Sequence, residues 1–416
     1  MILLKNCQII DKNYTSPSKP TDVYIKNERI EELGSNLDLK NQNLTTLDMS
    51  QYYIMPGLID AHVHVTAARP NVSNTEVPIE EISIQAKKFM EDMIERGFTT
   101  IRDAGGASDG LAHTLAQGLI KGPRLFYSGK ALSQTGGHGD FRKQSENFEP
   151  CFCHQSGSNI SVVCDGVSAV QKVAREQLRK GASQIKIMAS GGINSPTDRL
   201  DSCQFSFDEI KAIVDVAKDS GTYVMAHAYY PSAIKRCLEA GVRSIEHGNM
   251  LDEETAKLMK SKKAFLVPTL AIFKAMETLL KENKYLTEDL TNKLKIVQNS
   301  GVNAINIAKN HHVKIGFGTD LLGEIQHTQQ LEGIALHEAA QTPYELLCSM
   351  TSINAELLNM ENKIGEIKQH YLADIIAVKD NPLDGMGKCF NQKDNVVLVI
   401  KNGEILKINS NLLRKF

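Results

Sequence analysis

The chain has no excess of charge of either sign. Its 416 residues carry 47 Lys and Arg against 49 Asp and Glu, a formal net charge of −2. Such a balance gives no electrostatic footing for a nucleic-acid or membrane-surface partner. Long apolar runs are missing as well. Nothing approaches the roughly 18 apolar residues that a spanning helix needs. The opening Met1-Ile2-Leu3-Leu4-Lys5-Asn6 lacks the basic start and apolar core of a secretory signal, so the expectation is a cytoplasmic protein. Eight cysteines are scattered along the chain, which argues against a disulfide framework. Cys151-Phe152-Cys153-His154 has metal-ligand residue types but no second paired cluster at structural-zinc spacing. It reads as a loop that carries thiols. There is no internal repeat and no low-complexity tract. What is present is 42% hydrophobic residues, enough for one large domain and a smaller one.

Residues 1–55 read as short strands broken by turns, with a hairpin turning at Asn27-Glu28. From about 56 to 361 the texture changes. Apolar, β-rich runs alternate with amphipathic stretches at 80–96, 108–121, 166–180 and 206–219. The strand candidates are the run ending at His64, then 99–103, 124–129, 184–188, 222–227, 243–247, 264–267 and 313–318. Eight strands alternating with helices predict parallel βα units closed into a (β/α)8 TIM barrel. In 206–219, Phe207, Ile210, Ile213, Val214 and Ala217 share one helical face, and Ser220-Gly221 stops the helix. The charged stretch 270–300 is helical in period and is a candidate mobile cover. Strand texture returns over 362–416, with a hairpin turning at Asn402-Gly403. The two β-rich ends are expected to pair into one small domain beside the barrel.

Catalytic groups in a barrel sit at the C-terminal ends of its strands. That rule selects His62 and His64 on the first strand, Lys186 on the fourth, His227, His247, and Asp320 after the eighth. His62 and His64 are two apart, so a strand end points both the same way. Two neutral imidazoles on one face can grip one cation; alone, they could equally be unrelated polar residues on a half-buried strand. Lys186 also leaves two readings open. Burial lowers a lysine pKa, and the neutral amine can add carbon dioxide to give an anionic carbamate able to bridge two metals. Otherwise the side chain reaches out of the barrel mouth or pairs with a carboxylate.

These residues, with Pro56-Gly57-Leu58-Ile59-Asp60-Ala61-His62-Val63-His64, Gly318-Thr319-Asp320, Ala373-Asp374 and Asn381-Pro382-Leu383, resemble the amidohydrolase superfamily over nearly the whole chain. The resemblance implies a (β/α)8 barrel with a β-sandwich built from both termini. It implies two divalent metal ions, usually Zn2+. His62, His64 and Asp320 would hold the more buried one, His227 and His247 the other, and Lys186, as N6-carboxylysine, would bridge them. Lys186-Ile187-Met188-Ala189-Ser190-Gly191-Gly192 and Ser133-Gln134-Thr135-Gly136-Gly137-His138-Gly139-Asp140 are similar to the imidazolonepropionase-related group, which includes prolidase-like and arginine carboxypeptidase-like enzymes. In that group a histidine and a tyrosine at such places contact substrate; here they would be His138 and Tyr229 or its neighbour Tyr230. Ile367-Lys368-Gln369-His370 stands where relatives usually carry Pro-Gly, a change confined to a turn.

The implied reaction is cleavage of the amide bond of a dipeptide or N-acyl amino acid by metal-activated hydroxide. An Xaa-Pro dipeptidase or an Xaa-Arg/Lys carboxypeptidase would fit. Asp320 would carry the proton, and His138 would donate a hydrogen bond to the oxyanion. The alternatives are a cyclic-amide hydrolase of imidazolonepropionase type and a metal-free barrel used as an assembly module. Glu324 is either an anchor for a basic side chain or a solvated loop carboxylate. The expected partners are a small-molecule or dipeptide substrate and further copies of the chain in a homo-oligomer.

Overall fold

The structure is a computed structural model. It describes residues 1–413 apart from 40–43, 71–76, 147–159, 196, 283–287 and 299. The thiol-bearing stretch at 151–154 lies outside the described residues.

Both ends of the chain enter one sheet. Its order is Glu404–Ile408, Val396–Lys401, Ile375–Val378, Tyr53–Pro56, Ile2–Ile9, Thr21–Lys26, Arg29–Gly34, with Thr45–Asp48 also pairing Ile2–Ile9. The first strand changes partners along its length. Ile2–Lys5 run parallel to Thr45–Asp48, and Gln8 and Ile9 run parallel to Tyr53 and Ile54. The expected hairpins are both there. Asn402 and Gly403 have φ of 49° and 73°, as a two-residue hairpin with the right-handed strand twist requires. Leu4, Ile25, Ile54, Ile375 and Leu398 pack together as the core of this region.

Gly57 divides Tyr53–Pro56, which belongs to the terminal sheet, from Leu58–Val63, which belongs to the central one. A Cβ at Gly57 would fall 2.1 Å from Thr99 Oγ1, so only glycine lets the chain cross there. The central strands are parallel. Leu58–Val63, Phe98–Asp103 and Arg124–Tyr127 form a sheet of three. Ala131–Ser133, Ile185–Met188, Val224–Ala228, Ser244–His247, Phe265–Val267 and Lys314–Ile315 run in that order in a sheet of seven, with Ser161–Val163 outside Ala131–Ser133. After the last strand, Ala61 N donates to Phe317 O at 2.9 Å and Asp320 N to His62 O at 2.8 Å. These bonds tie the first central strand to the run after the last.

The helices Ile79–Glu95, Val167–Arg179, Phe207–Asp219, Pro231–Ala240 and Glu253–Ser261 alternate with these strands. The helix Phe207–Asp219 starts at a capping box between Ser206 and Glu209 and buries Ile210, Ala212, Ile213, Val216 and Ala217. Phe207 does not share that face. It is 43% exposed, because as the first helical residue it precedes the turn that packs on the sheet. The strands Ala131–Ser133 and Ser161–Val163 were not expected; each has three residues and no alternation to read.

Candidate active site

The six strand-end residues do converge. His62 lies on Leu58–Val63 and His64 directly follows it; Lys186, His227 and His247 lie on Ile185–Met188, Val224–Ala228 and Ser244–His247. Register sets their spacing: Met188 pairs with His227, and Ala228 pairs with His247. All six line one pocket, together with His138, Asn194, Tyr229 and the apolar Phe141, Ile160, Met188, Ile193, Ile272, Phe273, Met276 and Leu322.

Asp320 is the hub. Its Oδ1 is 3.3 Å from His62 Nε2 and 3.2 Å from His64 Nε2, and its Oδ2 is 3.8 Å from His247 Nδ1. Asp320 adopts φ 58° and His247 φ 71°, left-handed conformations that non-glycine residues seldom take and that concentrate at functional sites. Ligand atoms of His62, His247 and Asp320 all lie within 4.8 Å of one another. His247 lies between the two expected groups, with its Nδ1 towards Asp320 and its ring beside His227. The His227 ring stands edge-on to His247 at 4.5 Å between centroids.

Neighbours fix one nitrogen of His62, His64 and His227 as a donor. A carbonyl or carboxylate oxygen only accepts, so the nitrogen that faces it carries the proton. His62 Nδ1 donates to Glu246 at 2.7 Å, and His64 Nδ1 to Gly105 O at 2.9 Å. Both turn Nε2 towards the Asp320 carboxylate; burial would lower the His64 imidazole, but the hydrogen bond to Asp320 outweighs it and raises its pKa. His227 Nε2 donates to Gly191 O at 3.0 Å, leaving Nδ1 bare. His62 Nε2 is buried without a hydrogen-bond partner. Burial holds the His227 and His247 imidazoles well below the usual histidine range, so both are neutral. Burial would raise the Asp320 carboxyl, but the surrounding histidines, His62 first, hold it well below the usual carboxylate range. Imidazole nitrogens converging on an ionised carboxylate fit a divalent cation, which would take the place of the protons between them.

Lys186 is 1% exposed and is pulled down to about 8, by burial above all and against the attraction of Glu246 and Asp320. Its Nζ makes no hydrogen bond or ion pair among the described residues. An amine held near neutral pH without a partner is suited to take up carbon dioxide.

A buried charged layer lies beneath the histidines, and strand periodicity alone did not single it out. Arg102 donates to both oxygens of Glu246 at 3.0 and 2.9 Å, and both residues are wholly buried. Asp103 accepts from the backbone N–H groups of Val65, Gly105 and Ala107. Asp60 accepts from the backbone N–H groups of His62 and Thr319 and from Gln330, tying the strand of His62 to the loop of Asp320. The available signal was charge inside apolar strands, in Ile101-Arg102-Asp103 and Ile245-Glu246-His247.

The substrate-contact candidates divide. His138 stacks on His227 with centroids 4.2 Å apart. Tyr229 lines the pocket. Tyr230 is the N-cap of the helix Pro231–Ala240 and is not among the lining residues. Glu324 also lies away from the lining, 58% exposed and paired with Lys88. From 270–300, the helix Leu270–Glu282 supplies Ile272, Phe273 and Met276 to the pocket wall.

Residues 53–406 match the model of the amidohydrolase family. The chain belongs to the amidohydrolase family. It is thereby a hydrolase of amide bonds. Among curated proteins it is similar to the ochratoxinase of Aspergillus niger, 30% identical over 94% of this chain and 84% of that one. Among solved structures it is similar to a prolidase complexed with N-methylphosphonate-L-proline, with a TM-score of 0.92 and 40% identity over 98% of this chain and 100% of that one. It is also similar to a Xaa-Pro dipeptidase with methionine bound in its active site, with a TM-score of 0.87 and 29% identity over 97% and 99% of the two chains. No helix among the described residues is long and apolar enough to cross a membrane.

Proposed function

We propose that this amidohydrolase uses two divalent cations, Zn2+ by ligand type, to cleave the amide bond of a dipeptide or N-acyl amino acid, with Xaa-Pro dipeptides as the leading substrates. The observation that carries the choice is the pocket lining. The wall facing the histidines is apolar, and Asp320 is the one carboxylate among the described lining residues. A basic leaving residue would find no counter-charge there, which disfavours the Xaa-Arg/Lys alternative. Similarity to a prolidase and a Xaa-Pro dipeptidase supports the same reading. In architectural terms, 1–55 and 362–416 form a small β-sandwich, and 56–361 form a closed (β/α)8 barrel. The bonds from Ala61 to Phe317 and from Asp320 to His62 support closure.

His62, His64, His227, His247 and Asp320 would hold the cations, together with Lys186 as N6-carboxylysine. Bound divalent cations supply a water acidic enough to attack at neutral pH and polarise the scissile carbonyl. Asp320 takes the proton of the attacking water and returns it to the leaving nitrogen. Tyr229, which lines the pocket and whose hydroxyl makes no hydrogen bond among the described residues, binds the substrate carboxylate. Ile193, Ile272, Phe273 and Met276 enclose the apolar side chain and exclude water. The test is hydrolysis by enzyme prepared with zinc and bicarbonate, alongside elemental analysis. The expected result is close to two metals per chain and cleavage of Met-Pro in preference to Met-Arg. Folded protein without bound metal, or cleavage of a cyclic amide in place of the dipeptides, would overturn the proposal.

A further inference from the structure

A second cavity, of about 610 Å3, lies between the helices Ile79–Glu95, Asp109–Ala116 and Val167–Arg179. Its volume falls within the range of about 300–1,000 Å3 usual for small-molecule sites. Among the described residues, its lining shares none with the pocket of the histidines. Most of the wall is apolar: Ile79, Ile82 and Ala86 from the first helix, Ala107 before the second, Leu111 on it and Ile120 beyond it. Ile79 is 62% exposed, apolar surface left to water. One corner differs. Gly129 turns the chain at φ 66°, and a Cβ there would fall 2.3 Å from Gln177 Oε1. The turn sets Lys130 against Gln177, whose Oε1 accepts the Lys130 backbone N–H at 2.9 Å. That bond fixes which way the amide faces, since an N–H needs an oxygen opposite it. Gln177 is 7% exposed, and its Nε2, the donor end, makes no hydrogen bond among the described residues. The Lys130 ammonium makes no hydrogen bond or ion pair among them either. Burial pulls that ammonium down to about 8, and Lys180 beside it adds to the pull. Lys180 lies 3.8 Å from Glu176, whose two oxygens already accept from Arg179 at 2.7 Å. Lys87 is paired with Glu91 at 2.7 Å. Asp109 is the one carboxylate among the described lining residues, and it acts on Tyr127 and Arg179 rather than on Lys130.

We propose that this cavity is a second ligand site, for a free medium-chain carboxylate, with its head on Lys130, Lys180 and the Gln177 amide and its tail between the helices Ile79–Glu95 and Asp109–Ala116. Two neighbouring cations and a buried donor without a partner call for an anion, and a carboxylate has two oxygens to give them. A neutral apolar guest would leave Gln177 Nε2 buried and unsatisfied, which is costly. A small hydrophilic anion would leave the apolar wall in water. A donor that is 7% exposed is within reach of a slender chain and not of a flat protein face or a membrane surface. The site stands apart from the proposed function, since no metal, substrate or catalytic group enters it. It is nevertheless close to the histidines in the chain. Gly106 lines this cavity, and its neighbour Gly105 accepts from His64 Nδ1 at 2.9 Å.

The test is calorimetric titration of the full chain with octanoate, octanol, octylammonium and acetate. Octanoate should bind, and about tenfold or more tighter than each of the other three, because only it meets both the charge and the apolar wall. Gln177→Glu keeps an acceptor for the Lys130 N–H and places a carboxylate in the corner; Lys130→Met removes the charge. Each should weaken octanoate by about 10- to 100-fold, the worth of a charged hydrogen bond, with an unchanged circular dichroism spectrum. Should one variant misfold, the other serves. Crystals of the wild type soaked with bromooctanoate locate the ligand without any variant, from the anomalous signal of bromine, expected between the helices Ile79–Glu95 and Asp109–Ala116. Absence of octanoate binding overturns the proposal, as does equal binding of octanol or acetate. So does unchanged affinity in the folded variants, or bromine found only at the histidines. Co-sedimentation with phosphatidylglycerol vesicles in place of octanoate binding would make the occupant a lipid surface. A change of oligomeric state in Ile84→Arg, again without octanoate binding, would make it a second copy of the chain. Either result overturns the free carboxylate.

Discussion

Replacing Glu246 by Gln keeps the shape of the side chain and an acceptor for His62, and removes only the charge. What that costs can be worked from the buried layer. Arg102 and Glu246 are both 0% exposed and joined by contacts of 3.0 and 2.9 Å. Breaking a buried pair by removing one partner costs about 3–5 kcal/mol, because the other charge is stranded. An independent route gives a similar figure. Burial would raise the Glu246 carboxyl, but the Arg102 guanidinium and then His62 outweigh it and hold the pKa down to about 2 against an ordinary 4.5. At about 1.4 kcal/mol per tenfold change in acidity, that is about 3 kcal/mol. The folded pKa lies below the unfolded one, so this stabilisation is complete above about pH 4.5 and is lost as the pH falls towards 2. The chain has no tryptophan, so unfolding in urea is best followed by far-ultraviolet circular dichroism on metal-stripped protein. Glu246→Gln should lose about 3 kcal/mol at pH 7, and the gap to the wild type should narrow below about pH 4.5. Zinc affinity should fall by about 10- to 100-fold, since His62 loses its anionic partner. A stability within about 0.5 kcal/mol of the wild type, the range of ordinary surface substitutions, would refute the reasoning.

Lys186→Ala should lose metal and activity together, and a short-chain carboxylic acid should restore part of both; wild-type rate and metal content would make the lysine structural. Asp320→Asn should lower kcat by about 10²-fold or more, read by steady-state kinetics on enzyme whose metal content has been measured. Blocking the substrate carboxylate as an amide should lower kcat/KM by about 10- to 100-fold, the worth of a charged hydrogen bond of about 1.5–3 kcal/mol. Tyr229→Phe should raise KM for the free acid more than for the amide, and equal effects on both would remove the phenol from carboxylate binding.

The histidines and Lys186 were legible because each sits on, or directly after, a strand whose type can be read from a few neighbours. His227 closes a strand of apolar residues, and the barrel rule then says where its side chain points. Their partners were not legible. The bond between His62 and Glu246 spans 184 positions, and nothing local records which distant strand brings an acceptor to a given nitrogen. The Phe207 face failed for a related reason: helical periodicity gives the direction of a residue but not whether the first turn has reached the sheet. Strand alternation separates the two tyrosines. His227 points into the pocket, and strand alternation sends residue i+2 to the same side. That selects Tyr229 over Tyr230, as the lining does.

The chemistry and the specificity of this pocket come from different kinds of segment. The ligand candidates other than Asp320, which stands in the loop beyond Lys314–Ile315, lie on, or directly after, strands, where a period of two residues fixes the direction of each side chain. The facing wall comes from loops and one helix: Phe141 and Ile193 from loops, Ile272, Phe273 and Met276 from Leu270–Glu282. Loop side chains have no period, so their convergence on the histidines is set by tertiary packing alone. Lys293 links the two kinds of segment. It joins the helix Glu288–Gln298 to the loop of Asp198, whose carboxylate supports His138. A change in the wall that shifted this helix would therefore be felt at His138, and substrate preference and the placement of the reacting amide would change together.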